Sequence, residues 1–176
     1  MLDKINVIRI VTDHYSTLKR YNRTNICKSD LLTFVALPFL LAVVSAYLNL
    51  KFTDPIINIL ISALAIFSGL LFNLLVLLHA IKIRNVNYIN EKDTKDFFKQ
   101  IYANISYALF ISILIVTLLC IVIFFRSNAA VTLNLRDPIL VRFGNGVIFF
   151  LLAQLMLTLL MILKRMYFFL LCEFKY

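Results

Sequence analysis

Four stretches of this chain carry no Asp, Glu, Lys or Arg: Leu31 to Leu50, Pro55 to Ile81, Ile101 to Phe125, and Gly146 to Leu163. Each is close to or longer than the ~20 apolar residues that a bilayer-crossing helix needs. A charge at mid-bilayer costs several kcal/mol, so an uninterrupted absence of charge is itself a membrane signal. Composition agrees. Of the 176 residues, 62% are hydrophobic and 15% charged, against roughly half and a quarter in soluble domains. A soluble chain of this length has too little interior to hide that much apolar surface. The expected fold is an all-α membrane protein with four transmembrane helices, at 31–50, 55–83, 101–125 and 146–163.

Orientation follows from the basic residues of the short flanks. Fourteen of the 18 Lys and Arg residues lie in residues 1–30, in the connection 84–100 with the neighbouring Lys82, and in the tail 164–176. Only Lys51, Arg126, Arg136 and Arg142 lie on the other side. Both termini are therefore expected in the cytoplasm of a bacterium, with the spans in its inner membrane. No cleavable signal peptide is expected, because some thirty polar-rich residues precede the first apolar run. Cys27, Cys120 and Cys172 are divided between the reducing side and the third span, which builds no disulfide framework.

The flanks predict local structure. Thr53 or Asp54 can cap a helix that Pro55 opens, so the first two spans form a hairpin on the outer side. Pro38 should kink the first span by removing a backbone hydrogen bond. The second span, roughly 43 Å long at 1.5 Å per residue, exceeds the ~30 Å hydrocarbon core and must tilt or project. Asn90, Glu91 and Asp93 mark a helix start, and one helix is expected from about Glu91 to Phe125, its first turns in the cytoplasm. The 1–30 segment is amphipathic, with Ile8, Val11, Tyr15 and Leu18 at helical spacing. It either lies on the membrane surface or packs on the projecting helix. In the outer loop 126–145, Val131, Leu133 and Leu135, and then Ile139, Val141 and Phe143, alternate on either side of Asp137-Pro138. That pattern predicts a small β-hairpin, with a helix starting at Pro138 as the alternative. Gly144-Asn145-Gly146 should break the chain before the fourth span.

Within the second span, Asn58, Ser62, Ala65, Gly69, Asn73, Val76 and Ala80 form one stripe of small and amide residues. Small residues let helices approach in lipid, and amides bond between them; the same residues could line a water-filled path. Gln154 and Thr158 in the fourth span, and Asn104, Ala108 and Ser112 in the third, suit interhelical hydrogen bonds. The spans contain none of the ionisable relays of proton-coupled transporters or the Arg rows of voltage sensors. No His/Cys/Asp/Glu cluster has metal-ligand spacing and no glycine loop suggests a nucleotide cofactor. Arg9 and His14 have the Arg-x4-His spacing of one class of helical ribonucleases, a pairing that arises readily in a basic amphipathic segment. No enzyme activity and no cofactor are expected. Arg20, Arg23, Lys28, Lys82, Arg84, Lys164 and Arg165 form a basic cytoplasmic rim. The positive-inside rule alone accounts for much of it; repeated around an oligomer axis, it would also suit anionic lipid, an acidic protein partner, or a nucleotide or oligonucleotide.

In size, in its four spans, in its inward termini and in its basic rim, the chain resembles the small four-span membrane subunits of bacterial anti-phage defence systems. These are the Kiwa-type membrane component and the Hailong-like channel effectors. The run Phe67-Ser68-Gly69-Leu70-Leu71-Phe72-Asn73 is its nearest local signature. The resemblance implies a homo-oligomer, a tetramer favoured, that acts on the bilayer together with a cytoplasmic partner. The expected function is an ion-conducting or membrane-permeabilising effector switched from its basic face. The alternative is a non-conducting sensor or anchor that binds and releases a soluble partner.

A reporter enzyme active only in the cytoplasm should be active when fused after Tyr176. Activity there of a reporter that works only outside the cytoplasm would reverse the orientation.

Overall fold

The computed structural model describes residues 7–17, 28–50, 52–84, 92–127 and 138–173. They form five α-helices: α1 (Val7–Ser16), α2 (Lys28–Tyr47), α3 (Asp54–Arg84), α4 (Lys92–Ser127) and α5 (Pro138–Glu173). There is no strand among the described residues. In hydrocarbon a backbone N–H or C=O finds no water, so the apolar segments must satisfy their own hydrogen bonds as helices. Three helices are long and apolar enough to cross a membrane, over Asp54–Ala80, Phe98–Phe124 and Arg142–Tyr167. The apolar part of α2, Leu32–Tyr47, is shorter, about 24 Å.

The helix ends have local causes. The α2 terminus closes as a Schellman motif. Leu50 N donates to Ser45 O at 3.0 Å and Asn49 N to Ala46 O at 3.3 Å. Asn49 takes the left-handed conformation, φ 52°, which Asn tolerates better than most residues. Ile57 N then donates to Thr53 O at 3.0 Å, which makes Thr53 the cap of α3 with Asp54 in its first turn. The turn between α2 and α3 is tied across the molecule: Asn145 Nδ2 donates to Leu50 O at 3.2 Å, and Phe52 stacks on Phe149 at 4.7 Å. The α2 helix continues through the buried Pro38.

The four long helices pack in the order α2–α5–α4–α3, and among the described residues α2 and α3 do not touch despite their short connection. Residues seven apart form the seams. Ile57, Leu64, Leu71 and Leu78 of α3 are buried, as are Ile101, Ile105, Ala108, Ile115 and Leu119 of α4 and Ile148, Leu155 and Ile162 of α5. A seven-residue repeat keeps one stripe turned to a neighbour along the whole length. Ser68 and Ser112 hydroxyls meet at 2.8 Å and set the α3–α4 register. The apolar stretch of α3 is 11% buried, against 33% for α4 and 39% for α5, so α4 and α5 are the centre and α3 an edge.

Two expectations for the outer loop are corrected. The limb Ile139–Phe143 is not a strand: the chain is helical from Pro138. Proline's fixed φ suits a first helical position, and a two-stranded hairpin has little stability of its own. The other limb, 131–135, lies outside the described residues. Gly144-Asn145-Gly146 does not break the chain either, since α5 runs through it. Gly146 here faces α2, and a Cβ on it would lie 3.6 Å from Ala42 O.

That distance is ordinary van der Waals contact, so Gly146→Ala should be tolerated and gain up to ~1 kcal/mol of helix propensity. Gly146→Leu has to push α2 from α5 and should cost about 1–3 kcal/mol. Thermal unfolding in detergent should separate the two variants by roughly 2–10 °C.

Candidate functional site

A cluster of buried polar side chains, His14, Thr17, Asn104 and Gln154, lies toward the end of the bundle opposite the α2–α3 turn, where α1 lies on α4. The face that α1 turns inward is not the one its apolar residues suggest. Ile8 is 76% exposed, whereas Ile10 and Val11 pack on the core and His14 and Thr17 are buried. The helix is rotated so that a histidine, one position from the expected Tyr15, enters the bundle. A buried amide on α4 supplies the reason. Asn104 is fully buried, in a helix where an unpartnered amide costs several kcal/mol. His14 Nδ1 meets its Oδ1 at 2.9 Å, and the Thr17 hydroxyl lies 2.9 Å from the same oxygen.

The contacts continue outward. The Thr17 hydroxyl also lies 2.7 Å from the His14 carbonyl; having one proton, it serves one acceptor at a time. Arg165 of α5 reaches in and donates through Nη2 to the Thr17 carbonyl at 2.7 Å. The imidazole lies flat on Tyr107, centroids 3.8 Å apart and planes 10° from parallel. Tyr15 and Phe34 stand edge-on to it, at 5.4 and 6.2 Å. Gln154 Nε2 donates to the Tyr107 hydroxyl at a long 3.4 Å, and the Thr158 hydroxyl donates to the Gln154 carbonyl at 2.8 Å. Asn104, Ser112, Gln154 and Thr158, expected to bond between helices, are thus buried polar groups of the core; Thr158 bonds within its own helix.

Four buried polar atoms here have no hydrogen-bond partner among the described residues: His14 Nε2, Asn104 Nδ2, Gln154 Oε1 and Arg165 Nη1. Each such group costs about 1–3 kcal/mol. With Asn104 Oδ1 as acceptor, Nδ1 carries the imidazole proton and Nε2 is a bare lone pair. Burial, reinforced by the charge of Arg165, pushes the His14 imidazole down from 6.5 to about 4 against the opposing hydrogen bond of Asn104. Tyr107 would attract a cation by ~0.5–2 kcal/mol, but removing an unpaired charge from water costs several. Desolvation wins, and the docked histidine is neutral at pH 7. Beside this cluster a cleft of about 160 Å³ opens between α1 and α4, lined by Asp13, Ser16, Thr17, Lys99, Gln100 and Ala103.

The stripe residues lie elsewhere. Asn58, Ser62, Ala65, Gly69 and Asn73 are all exposed, roughly 140° around α3 from its buried seam at 100° per residue. A Cβ on Gly69 would meet nothing within 4 Å, and the Ser62 hydroxyl turns back to Asn58 O at 2.9 Å. Packing within the chain is therefore not what the stripe is for. Of the basic rim, Arg20 and Arg23 lie outside the described residues, while Lys28 opens α2 and Lys82 and Arg84 close α3. Lys164 is exposed, and Arg165 is turned inward to Thr17. Arg9 is exposed, 3.9 Å from Asp13, and His14 is buried, so the structure does not bring that pair together. Among the described residues no three His, Cys, Asp or Glu side chains form a metal-ligand group.

A buried polar cluster at the α1 contact was missed by sequence reasoning. The available signal was the polar residue Asn104 in an otherwise apolar span, which demands a partner. Comparison with protein-family models, with curated proteins and with solved structures finds no match.

Asn104→Leu strands His14 and Thr17 and should destabilise the protein by about 1–3 kcal/mol. Gln154→Leu removes one long hydrogen bond together with an unpartnered carbonyl, and should be neutral or stabilising. Thermal unfolding of the two variants in one detergent tests the contrast.

Proposed function

We propose that this chain is one subunit of a homo-oligomeric effector of a bacterial inner membrane, with a tetramer favoured. It crosses the bilayer four times with both termini in the cytoplasm, and it conducts ions or permeabilises the membrane when its cytoplasmic face is switched. Anti-phage defence is the setting that the resemblance of plan suggests. The observation that carries the reading is the exposure of Asn58, Ser62, Gly69 and Asn73 on the edge helix α3. Amides facing hydrocarbon are costly, while a second copy or a water-filled path satisfies them. In this reading α2, short for a full span, crosses with local thinning of the bilayer.

The path available to ions is neutral, lined by Asn58, Ser62 and Asn73. Selectivity between ions of one sign is therefore poor, and closure is by dewetting at apolar side chains. Lys28, Lys82, Arg84 and Lys164 form the face at which an acidic protein or a nucleotide acts. The docking of α1 through polar contacts favours a second reading, a non-conducting sensor or anchor whose N-terminal helix changes place when a soluble partner binds. Neither reading assigns the chain a catalytic step or a cofactor.

Gly69→Leu should reduce oligomer size in detergent, because a leucine keeps facing helices from close approach. Asn73→Leu should reduce ion flux through the reconstituted oligomer with insertion unchanged. Unaltered assembly in the first variant removes the stripe as an interface. Liposomes that stay ion-tight with every trigger, while a soluble protein co-purifies through the basic face, replace the effector by the sensor.

A further inference from the structure

The contact between α1 and the bundle combines features that oppose one another. Stacking on Tyr107, the Asn104 hydrogen bond and the Arg165 bond to the Thr17 carbonyl hold it closed. Among the described residues the closed contact leaves His14 Nε2, Asn104 Nδ2 and Arg165 Nη1 buried without partners, and water can satisfy them once α1 leaves. A helix of 10 residues has little stability of its own in water, so it depends on this contact for its structure. The two arrangements are thus close in free energy, and a small change at the contact can exchange them.

We propose that α1 is a latch released by a proton: neutral His14 holds the helix in the bundle, and protonation at Nε2 drives it out.

The step is a single proton transfer. The proton comes from bulk water on the α1 side, reached along the cleft beside Thr17, and binds the Nε2 lone pair while Nδ1 keeps its own. Among the described residues, the new N–H has no acceptor in the closed arrangement and no carboxylate lies against the ring. The groups around it are of the wrong kind. Among the described residues, α5 offers the Arg165 guanidinium and the exposed Lys164, and α4 offers Tyr107 and the exposed Lys99. From α2 comes Phe34. On α1 itself Tyr15 stands edge-on to the ring, while the half-buried Asp13 lines the neighbouring cleft and lies 3.9 Å from Arg9. In the released arrangement water solvates the imidazolium and Arg165 regains hydration. Only the closed arrangement penalises the charge, which gives the proton its differential affinity.

The sign and range follow from linkage. A histidine held at about 4 when docked and near 6.5 when free leaves the latch at full strength above pH 6.5. Strength is lost as pH falls from 6.5 toward 4. Between pH 7.5 and 5.5 the ratio of closed to released molecules should fall about tenfold. The stimulus is acidification on the α1 side of the membrane, and the inference stands whether or not the oligomer conducts.

The test uses the full chain in lipid nanodiscs. Deuterium uptake by residues 7–17 is measured at pH 7.5 and 5.5, with exposure times scaled for the intrinsic exchange rate. Protection should fall about tenfold in the parent protein and stay constant in His14→Gln, which keeps a hydrogen-bonding side chain but cannot take up the proton. Equal protection at both pH values in the parent, or an equal fall in His14→Gln, overturns the proposal. If His14→Gln is unprotected at both, imidazole NMR of His79→Gln, whose sole histidine is His14, decides. Titration well below 6.5 from an Nδ1–H tautomer supports the latch, and titration near 6.5 overturns it.

Discussion

Hydrocarbon offers no hydrogen bonds, and every level of this structure answers to that. The backbone satisfies itself in helices of up to 36 residues, and among the described residues no sheet edge is left open to lipid. Side chains face the same demand without the helix to meet it, and the buried ones find their partners where helices touch. Ser68 meets Ser112, Gln154 meets Tyr107, and Asn145 closes on the Leu50 carbonyl at the turn. Apolar packing supplies the long seams but selects no register by itself, since Leu and Ile are as content against lipid tails as against one another. The few polar contacts choose which turn faces which.

Asn104 is where this demand has the widest reach. Its span is otherwise apolar, and its side chain sits too deep for water. The partner it takes comes from the far end of the sequence, His14 on the short α1. Satisfying one amide brings with it a stacked ring, a buried threonine and an arginine drawn off the surface. The bargain is incomplete, because His14 Nε2, Asn104 Nδ2 and Arg165 Nη1 stay unpartnered among the described residues. An incompletely satisfied polar cluster is a poor way to make a rigid core. It is a good way to make a contact that can open, which is why the N-terminal helix rather than the stripe on α3 stands out as the movable part.

The extents of α3 and α4 were legible because their signals are local. Thr53-Asp54-Pro55 starts one, Asn90-Glu91 precedes the other, and neither contains a helix-ending residue until its predicted close. Errors arose where a local pattern had two readings. Alternation around Pro138 fits a strand as well as it fits one face of a helix seen over few residues, and the proline's place at the start of α5 decided for helix. Gly144-Asn145-Gly146 has the composition of a turn, but Gly146 faces Ala42 of α2 and Asn145 bonds to Leu50 O, contacts that no local pattern announces. On α1, His14 and Tyr15 lie 100° apart on the wheel, and a broad apolar face cannot say which of the two points inward.

Charge and hydropathy along the chain determined that its long helices are apolar enough to cross a membrane and where they run, because the cost of charge and of unpaired backbone in lipid acts residue by residue. The sequence also displayed the stripe on α3, since helical spacing alone puts Asn58, Ser62, Gly69 and Asn73 on one face. Which faces are covered was decided only by the tertiary structure. The order α2–α5–α4–α3 leaves that stripe exposed, and the rotation of α1 buries His14 against Asn104 and Tyr107. Both depend on contacts between residues 44 to 95 positions apart, and pairing at that distance is a property of the packed helices.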